Sequence, residues 1–467
     1  MKAVVIAAPK SGSGKTTITL GILELLKRRG LVVAPFKVGP DFIDTGYHRA
    51  VTGRPSINLD GWMCPPAFVR ETFARHTRGV DVAVIEGVMG LFDGIGGNSE
   101  EGSTAQVAKL LDAPVILVID AQGQARSIAA LVKGFVEFDP AVRVAGVILN
   151  HVGSTAHASI LREAIVSASP GVTIVGCIGR NDNILIPSRH LGLVTIEDNP
   201  LSPYYLHQLA RLVGNQVDVE LLLRIADTCG EPDLAPPPSL PKKTVPLAVA
   251  RDSAFCFVYE DNLRLLREAG AEIETFSPIN DEGVPADVAG LYLPGGYPEL
   301  FAEPLAANFA MKNSIRSAVE RGMPVYAECG GFIYLTKGVV EPDELAPRRR
   351  MGGSKIRHFV GLFPVTTRML SERKALGYRE VETVADTCLG PTGSLVRGHE
   401  FHYSEMEGMP PEIERVYRLG RRGKDLGSEG YRIGSCLASY VHIHFGSNPA
   451  VAGAFVEECR KFEEKRL

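Results

Sequence analysis

Runs of consecutive Val, Ile, Leu and Ala that stop abruptly in polar or glycine-rich turns constrain this 467-residue chain more than any other feature. One run covers Ala3 to Ala8. Others follow at Leu31 to Val38, Val80 to Glu86, Pro114 to Asp120 and Val144 to Asn150, each separated from the next by a stretch of helical character. Strands buried on both faces read as continuous apolar runs, and their alternation with helices indicates a parallel, doubly wound α/β sheet. Ligands on such sheets bind at the carboxyl ends of the strands. Polar residues at those ends are therefore the first candidates for a site.

The first run passes through Pro9-Lys10-Ser11-Gly12-Ser13-Gly14-Lys15-Thr16-Thr17 into the helical stretch Ile18 to Leu26. Strand, glycine loop, Lys-Thr and helix form the context a phosphate cradle needs. Gly12 and Gly14 let the backbone approach an anion, and the N–H groups of Ser13 to Thr17 can donate to phosphate oxygens. Lys15 reaches the β- and γ-phosphates, and the Thr16 hydroxyl suits Mg²⁺. Pro9 stands where the full phosphate-loop pattern has a glycine, so the match is to the G-x-G-K-T-T core.

Lys37, Asp41, Asp44, Glu86 and Asp93 all fall at strand ends beside this loop. Carboxylates next to a phosphate site suit Mg²⁺, a hard cation that shares oxygen ligands with phosphates. Lys37 offsets charge on a transferring phosphoryl group. Asn150 ends its strand either as a reader of the adenine edge or as an ordinary strand-end cap. Arg189 and His190, in the loop Pro187 to Leu193, suit a polyanion or a solvated turn equally.

A net charge of −4 argues against a general nucleic-acid binder. No run approaches the ~18 apolar residues of a membrane span. The eight cysteines are scattered without a C-x-x-C pair, as expected of reduced thiols in the cytoplasm. The first strand is too short for a signal-peptide core, which agrees with a cytoplasmic protein. Proline-rich residues 230–244 read as a linker between a domain at 1–229 and another at 245–467, where the α/β alternation restarts.

Two turns stand out in the second domain. The strand Gly290 to Leu293 runs into Gly295-Gly296, which can aim backbone N–H groups at an oxyanion. The strand Met323 to Glu328 turns sharply at Cys329-Gly330-Gly331, the pattern of a nucleophile elbow whose helix start is expected to lower the thiol pKa. A cysteine nucleophile needs a histidine base near in space. His442 and His444 share one face at strand spacing, and His444 is taken as the base with His442 as the other candidate.

The arrangement resembles the cobyrinate a,c-diamide synthases: a dethiobiotin synthetase-like ATP domain joined to a class I glutamine amidotransferase domain of flavodoxin-like type. The resemblance rests on S-G-S-G-K-T-T (11–17), P-F-K-V-G-P-D-F-I-D-T-G-Y-H (35–48), N-L-D-G-W-M (58–63) and V-I-E-G-V-M-G-L-F-D-G (84–94) in the first half. It continues in Y-L-P-G-G-Y-P-E (292–299), G-H-E-F-H-Y-S (398–404) and Y-V-H-I-H-F (440–445). It implies a P-loop ligase that takes ATP, L-glutamine and cobyrinate in cobalamin biosynthesis, amidating the a- and c-acetate carboxylates through an acyl phosphate. It places Cys329 and His444 at glutamine hydrolysis, with Gly295 and Gly296 as oxyanion support. Lys37 and Asp41 fall on catalytic positions, Asp44 and Asp93 on substrate or phosphoryl-transfer positions, and Thr16, Asp41 and Glu86 on the Mg²⁺ site. A homodimer is compatible with this reading.

Two residues depart from the wider amidotransferase pattern. Gly446 stands two residues after His444, where many class I enzymes carry a triad glutamate, which implies a Cys-His dyad. Glu328 precedes the cysteine, where an apolar residue is usual, and has no assigned role. Two other functions compete: diamidation of a nickel sirohydrochlorin by the same chemistry, and a partition-type ATPase switch suggested by Lys10. The cysteine elbow argues against the switch.

Overall fold

The computed structural model describes residues 1–180, 188–189, 192–193, 195–196, 200–230, 241, 243–340, 356–406 and 408–466. The chain divides into two compact units, Met1–Pro237 and Pro238–Leu467. Most of the proline-rich stretch 230–244, the side chains of Arg189 and His190, and Arg348-Arg349-Arg350 with Lys355 lie outside the described residues.

In the first unit strands and helices alternate as β1 (Lys2–Ala7), α1 (Lys15–Arg28), β2 (Val33–Val38), α2 (Ile43–Thr52), β3 (Ile57–Leu59), α3 (Pro66–His76) and β4 (Val82–Glu86). The series continues with α4 (Thr104–Leu110), β5 (Val115–Asp120), α5 (Ser127–Glu137), β6 (Val144–Val152), α6 (Thr155–Ala168) and β7 (Thr173–Gly179). A small pair, β8 (Ser188–Arg189) and β9 (Gly192–Leu193), and helices α7 (Pro203–Gln216) and α8 (Val219–Ala226) follow. Strands β1 to β7 form one sheet in the order β3-β2-β4-β1-β5-β6-β7, and every pair is parallel. The apolar runs make this layering compulsory: Ala3 to Ala7 and Val82 to Ile85 are buried on both faces. Register then decides the site, because Lys37 pairs with Glu86 across β2 and β4, and Ile6 pairs with Glu86 across β1 and β4.

The second unit opens with β10 (Val245–Ala250), α9 (Glu260–Ala269), β11 (Ala271–Phe276), β12 (Gly290–Leu293), α10 (Ala302–Ala307), α11 (Phe309–Glu320), β13 (Val325–Glu328) and α12 (Gly330–Leu335). It continues through β14 (Thr336–Val340), β15 (Ile356–His358), β16 (Phe363–Met369), β17 (Ala375–Thr383), β18 (Leu395–His402) and β19 (Ser404–Met406). The chain closes with β20 (Glu414–Arg421), β21 (Lys424–Ile433), β22 (Cys436–Ser439), β23 (His442–Ile443) and α13 (Ala450–Arg466).

Strands β11-β10-β12-β13-β22 form a parallel half-sheet, which β21-β20-β17-β18-β23 extends with antiparallel strands. A separate sheet orders β15-β14-β16-β19. The antiparallel extension is not visible as apolar runs in the sequence. Its strands alternate buried and exposed residues, and β20 turns into β21 at Arg422-Gly423, both with positive φ.

Candidate active sites

In the first unit, Gly14 adopts a left-handed conformation (φ 92°) at the N-terminus of α1, and Gly12 does likewise (φ 79°). The loop rests on Asn150, whose Nδ2 donates to Ser13 O at 3.0 Å. A Cβ on Gly14 would lie 2.3 Å from that nitrogen, so only glycine lets the loop close on this support. Ser13 Oγ donates to Lys10 O at 3.0 Å, which holds the loop from the other side.

Behind the loop lies a buried polar hub. Lys37 Nζ donates to Asp44 Oδ2 at 2.6 Å, Glu86 Oε1 at 3.0 Å and Gly87 O at 3.1 Å. Thr16 Oγ1 donates to Glu86 Oε1 at 2.7 Å and lies 3.5 Å from Asp44 Oδ2. His48, fully buried, bridges Glu86 Oε2 at 2.8 Å and Ser56 Oγ at 3.0 Å. Burial works against charge on Glu86, but Lys37 and the bonds from His48 and Thr16 outweigh it and hold the carboxyl well below its usual range. Burial likewise opposes charge on Lys37, and Asp44 and Glu86 overcome it, raising the ammonium pKa. One cation cannot neutralise two carboxylates. Burial and the neighbouring Asp41 therefore push Asp44 up.

The expected metal set of Thr16, Asp41 and Glu86 is only partly brought together. Asp41 Oδ1 accepts from the amides of Ile43 and Asp44, both at 2.9 Å, capping the start of α2. Asp44 takes the place beside Thr16 and Glu86. The hydroxyl oxygen of Thr16 and the carboxylate oxygens of Glu86 and Asp44 are donors of the type that suit a divalent cation such as Mg²⁺. Lys15 Nζ donates to Met89 O at 2.5 Å, and Asp93 Oδ2 folds back onto the Gly90 amide at 2.8 Å, within electrostatic reach of Lys15. Sequence reasoning misses His48, whose one trace is its place at the end of the 35–48 motif.

In the second unit, Cys329 sits at the turn from β13 into α12 with a strained backbone (φ 43°, ψ −102°). Its amide donates to Ser439 O at 2.7 Å, and its Sγ lies 4.0 Å from Phe401 O. The glycines around it permit close packing. A Cβ on Gly330 would lie 2.7 Å from Gly296 N, and one on Gly331 would lie 2.1 Å from Leu293 O. The elbow and the Gly295-Gly296 turn are therefore in direct contact. The expected lowering of the thiol pKa does not occur. Burial raises it, and Glu299 and Glu400 add to the rise, against a single hydrogen bond at the Gly330 amide.

The two histidines separate clearly. The His442 ring presses on the Gly295 turn: a Cβ there would lie 2.1 Å from its Cε1. It stacks on His399 with centroids 4.9 Å apart, and it senses Glu400, the carboxylate that also acts on Cys329. His444 lies beyond this row. Its ring packs on Tyr259 at 4.5 Å, its Nδ1 accepts from Gly446 N at 3.0 Å, and its charged neighbours are Asp261 and Arg264. Of the two, His442 thus lies against the Gly295 turn that packs on the elbow, and His444 does not. The physical reason is that His444 has left the strand to cap the short turn Phe445–Ser447. Burial lowers the pKa of His442 to about 3 and that of His444 to about 4, so both rings are neutral near pH 7. Glu400, held by Arg379 at 2.6 Å and His402 at 2.7 Å, is a second residue that sequence reasoning misses, although the 398–404 motif contains it.

Sequence-family models match both units. Residues 4–194 match the CobQ/CobB/MinD/ParA nucleotide binding domain, and residues 246–450 match the CobB/CobQ-like glutamine amidotransferase domain. The chain is 46% identical to the cobyrinate a,c-diamide synthase of Syntrophotalea carbinolica over 98% of both chains. It is 42% identical to the one from Priestia megaterium, covering 99% of this chain and 98% of that one. It is also 41% identical to the hydrogenobyrinate a,c-diamide synthase of Streptomyces coelicolor, covering 98% and 97%. A nucleotide-binding unit joined to a glutamine amidotransferase unit defines an ATP-using, glutamine-dependent carbon–nitrogen ligase. More specifically, the chain belongs to the cobyrinate a,c-diamide synthase family. Among the described residues no helix is long and apolar enough to cross a membrane.

Proposed function

We propose that this enzyme converts the a- and c-acetate carboxylates of cobyrinate, or of its metal-free counterpart, to amides, using ATP and glutamine. The observation that carries this reading is full-length similarity to relatives named for both substrates, joined to the hub at 37–86 and the cysteine elbow. Neither nickel sirohydrochlorin amidation nor a partition-type switch has support of this kind. A cytoplasmic location and a homodimeric assembly are part of the same proposal.

At the glutamine site, Cys329 sulfur attacks the carboxamide carbon while His442 takes the thiol proton. The Gly295-Gly296 turn, packed against the elbow at Gly330, supplies amides to the oxyanion. Collapse expels ammonia with that proton, and water then frees glutamate from the thioester. Thiol and imidazole are both neutral at rest, so proton transfer between them is uphill until a bound carbonyl accepts the sulfur. At the nucleotide site, a substrate carboxylate oxygen attacks the γ-phosphorus and ADP leaves. Ammonia then attacks the acyl phosphate carbon and phosphate departs.

Lys15, which rests on Met89 O, meets the β- and γ-phosphates of ATP, and Lys37 balances charge near the transferred group. Thr16, Glu86 and Asp44 would hold Mg²⁺, which when bound neutralises phosphate charge. Asp41 and Asp93 shape the surrounding turns.

Incubation of the purified protein with ATP, glutamine and cobyrinate, read by mass, should show two carboxyl-to-amide conversions. Absence of any gain from either cobyrinate or hydrogenobyrinate would rule out the proposed substrate. The choice of base has its own test. His442→Ala is expected to lower kcat for glutamine hydrolysis by about 10²–10⁴-fold, against less than about 10-fold for His444→Ala. The reverse order would restore His444 as the base.

A further inference from the structure

Glu328 sits one residue before Cys329, is 1% exposed, and plays no part in the chemistry above. Its carboxylate is fully engaged. Oε1 accepts from Tyr326 Oη at 2.6 Å and from the Ile443 amide at 2.9 Å, while Oε2 accepts from Tyr292 Oη at 2.7 Å. Ile443 is the residue after His442. One side chain thus joins the neighbour of the nucleophile to the neighbour of the base.

The need for such a link lies in the sheet. β23 pairs with β18 along one edge, through Gly398 with Ile443 and His399 with His442. β13, which leads into the nucleophile, is not a ladder partner of β23, since it pairs with β12 and β22. The Ile443 peptide groups that face that way are satisfied by side chains. Its N–H goes to Glu328, and its C=O accepts from Asn262 Nδ2 at 2.8 Å. Asn262 Oδ1 also holds the Phe445 amide at 2.8 Å. The β13–β22 ladder sets the spacing only as far as Ser439, three residues before His442, and the Glu328 carboxylate carries the link on to Ile443. An apolar residue here would leave a buried amide and two tyrosine hydroxyls without their acceptor.

We propose that Glu328 is a positioning residue of the glutamine site, fixing His442 against Cys329 by tying β13 to β23. The inference rests on the assignment of Cys329 as nucleophile and His442 as base. Its test uses the full chain with Glu328→Leu, Glu328→Gln and, as a control on the assignment, Cys329→Ala. Each is assayed for glutamine hydrolysis (kcat and KM) and for ATP-dependent amidation with ammonium chloride.

Glu328→Leu is expected to lower kcat for glutamine about 10²-fold, the scale of a misplacement of about 1 Å, with KM within about threefold. Glu328→Gln, which keeps an acceptor of the same shape, should recover at least about tenfold of that loss. Ammonium-driven amidation bypasses the thiol and should persist in both. The proposal is overturned if kcat survives in Glu328→Leu, or if KM rises while kcat holds. It also fails if glutamine and ammonium activities fall in parallel, or if Glu328→Gln recovers nothing. If the leucine variant does not fold, Glu328→Gln decides: a kcat lowered by about two- to tenfold at unchanged KM supports the role, and an unchanged kcat or a KM effect alone removes it. A Cys329→Ala protein that still uses glutamine would instead overturn the site assignment itself.

Discussion

Replacing Cys329 with alanine is expected to reduce glutamine-driven amidation by about 10³-fold or more while amidation driven by ammonium chloride continues. The size of the effect follows from the role: without the sulfur there is no covalent intermediate and no source of ammonia. Cys329 holds an uncommon backbone conformation for a residue with a Cβ, so alanine changes the chemistry without asking the turn to change shape. The measurement is amide formation by mass, with each nitrogen source, at saturating ATP. Equal activity with glutamine in the variant would exclude Cys329 as the nucleophile. Loss of both activities would mean that the residue supports the whole fold. The high thiol pKa adds a second readout. Iodoacetamide should alkylate the resting Cys329 slowly near pH 7, because burial keeps the sulfur protonated.

Glu86→Ala is expected to damage the other unit most. Three donors converge on this carboxylate: Lys37 and Thr16 at Oε1, and His48 at Oε2. Removing it leaves the Lys37 ammonium with Asp44 as its remaining carboxylate and strands a buried imidazole. Breaking a buried pair in this way costs about 3–5 kcal/mol. Denaturant unfolding of the variant should show that loss. Amidation should fall with glutamine and with ammonium chloride alike, because both need the acyl phosphate. Ammonium-driven activity within about threefold of the parent would contradict the placement of Glu86 at the phosphoryl-transfer site. This pattern is the opposite of that for Cys329→Ala, so the two variants separate the two half-reactions.

The strand runs, the G-x-G-K-T-T loop, the placing of Lys37 and Glu86 near strand ends with Asp44 in the turn that follows, and the elbow at Cys329 are local features, legible in the amino-acid sequence. Each depends on the residue types within a single turn or strand, so spacing alone exposes them. The antiparallel half of the second unit is harder to see. Strands such as Glu414–Arg421 face solvent on one side and interleave charges with apolar residues, which hides them from a search for continuous apolar runs.

What the sequence by itself determined is therefore the parallel α/β layering, the phosphate loop and the nucleophile turn, together with the family these motifs belong to. The partners were decided by tertiary structure alone. His442 and His444 are equivalent by spacing, but only His442 reaches the Gly295 turn, because the chain leaves the strand at His444. Asp41 and Asp44 are equally acidic, but the helix start takes Asp41 as its cap and the register of β2 on β4 gives Asp44 to the hub. Glu328 looks out of place before a nucleophile until the amide of β23 is seen to need its carboxylate as acceptor. Each of these choices depends on which strand ends meet, and that is a property of sheet order and register that no single stretch of sequence carries.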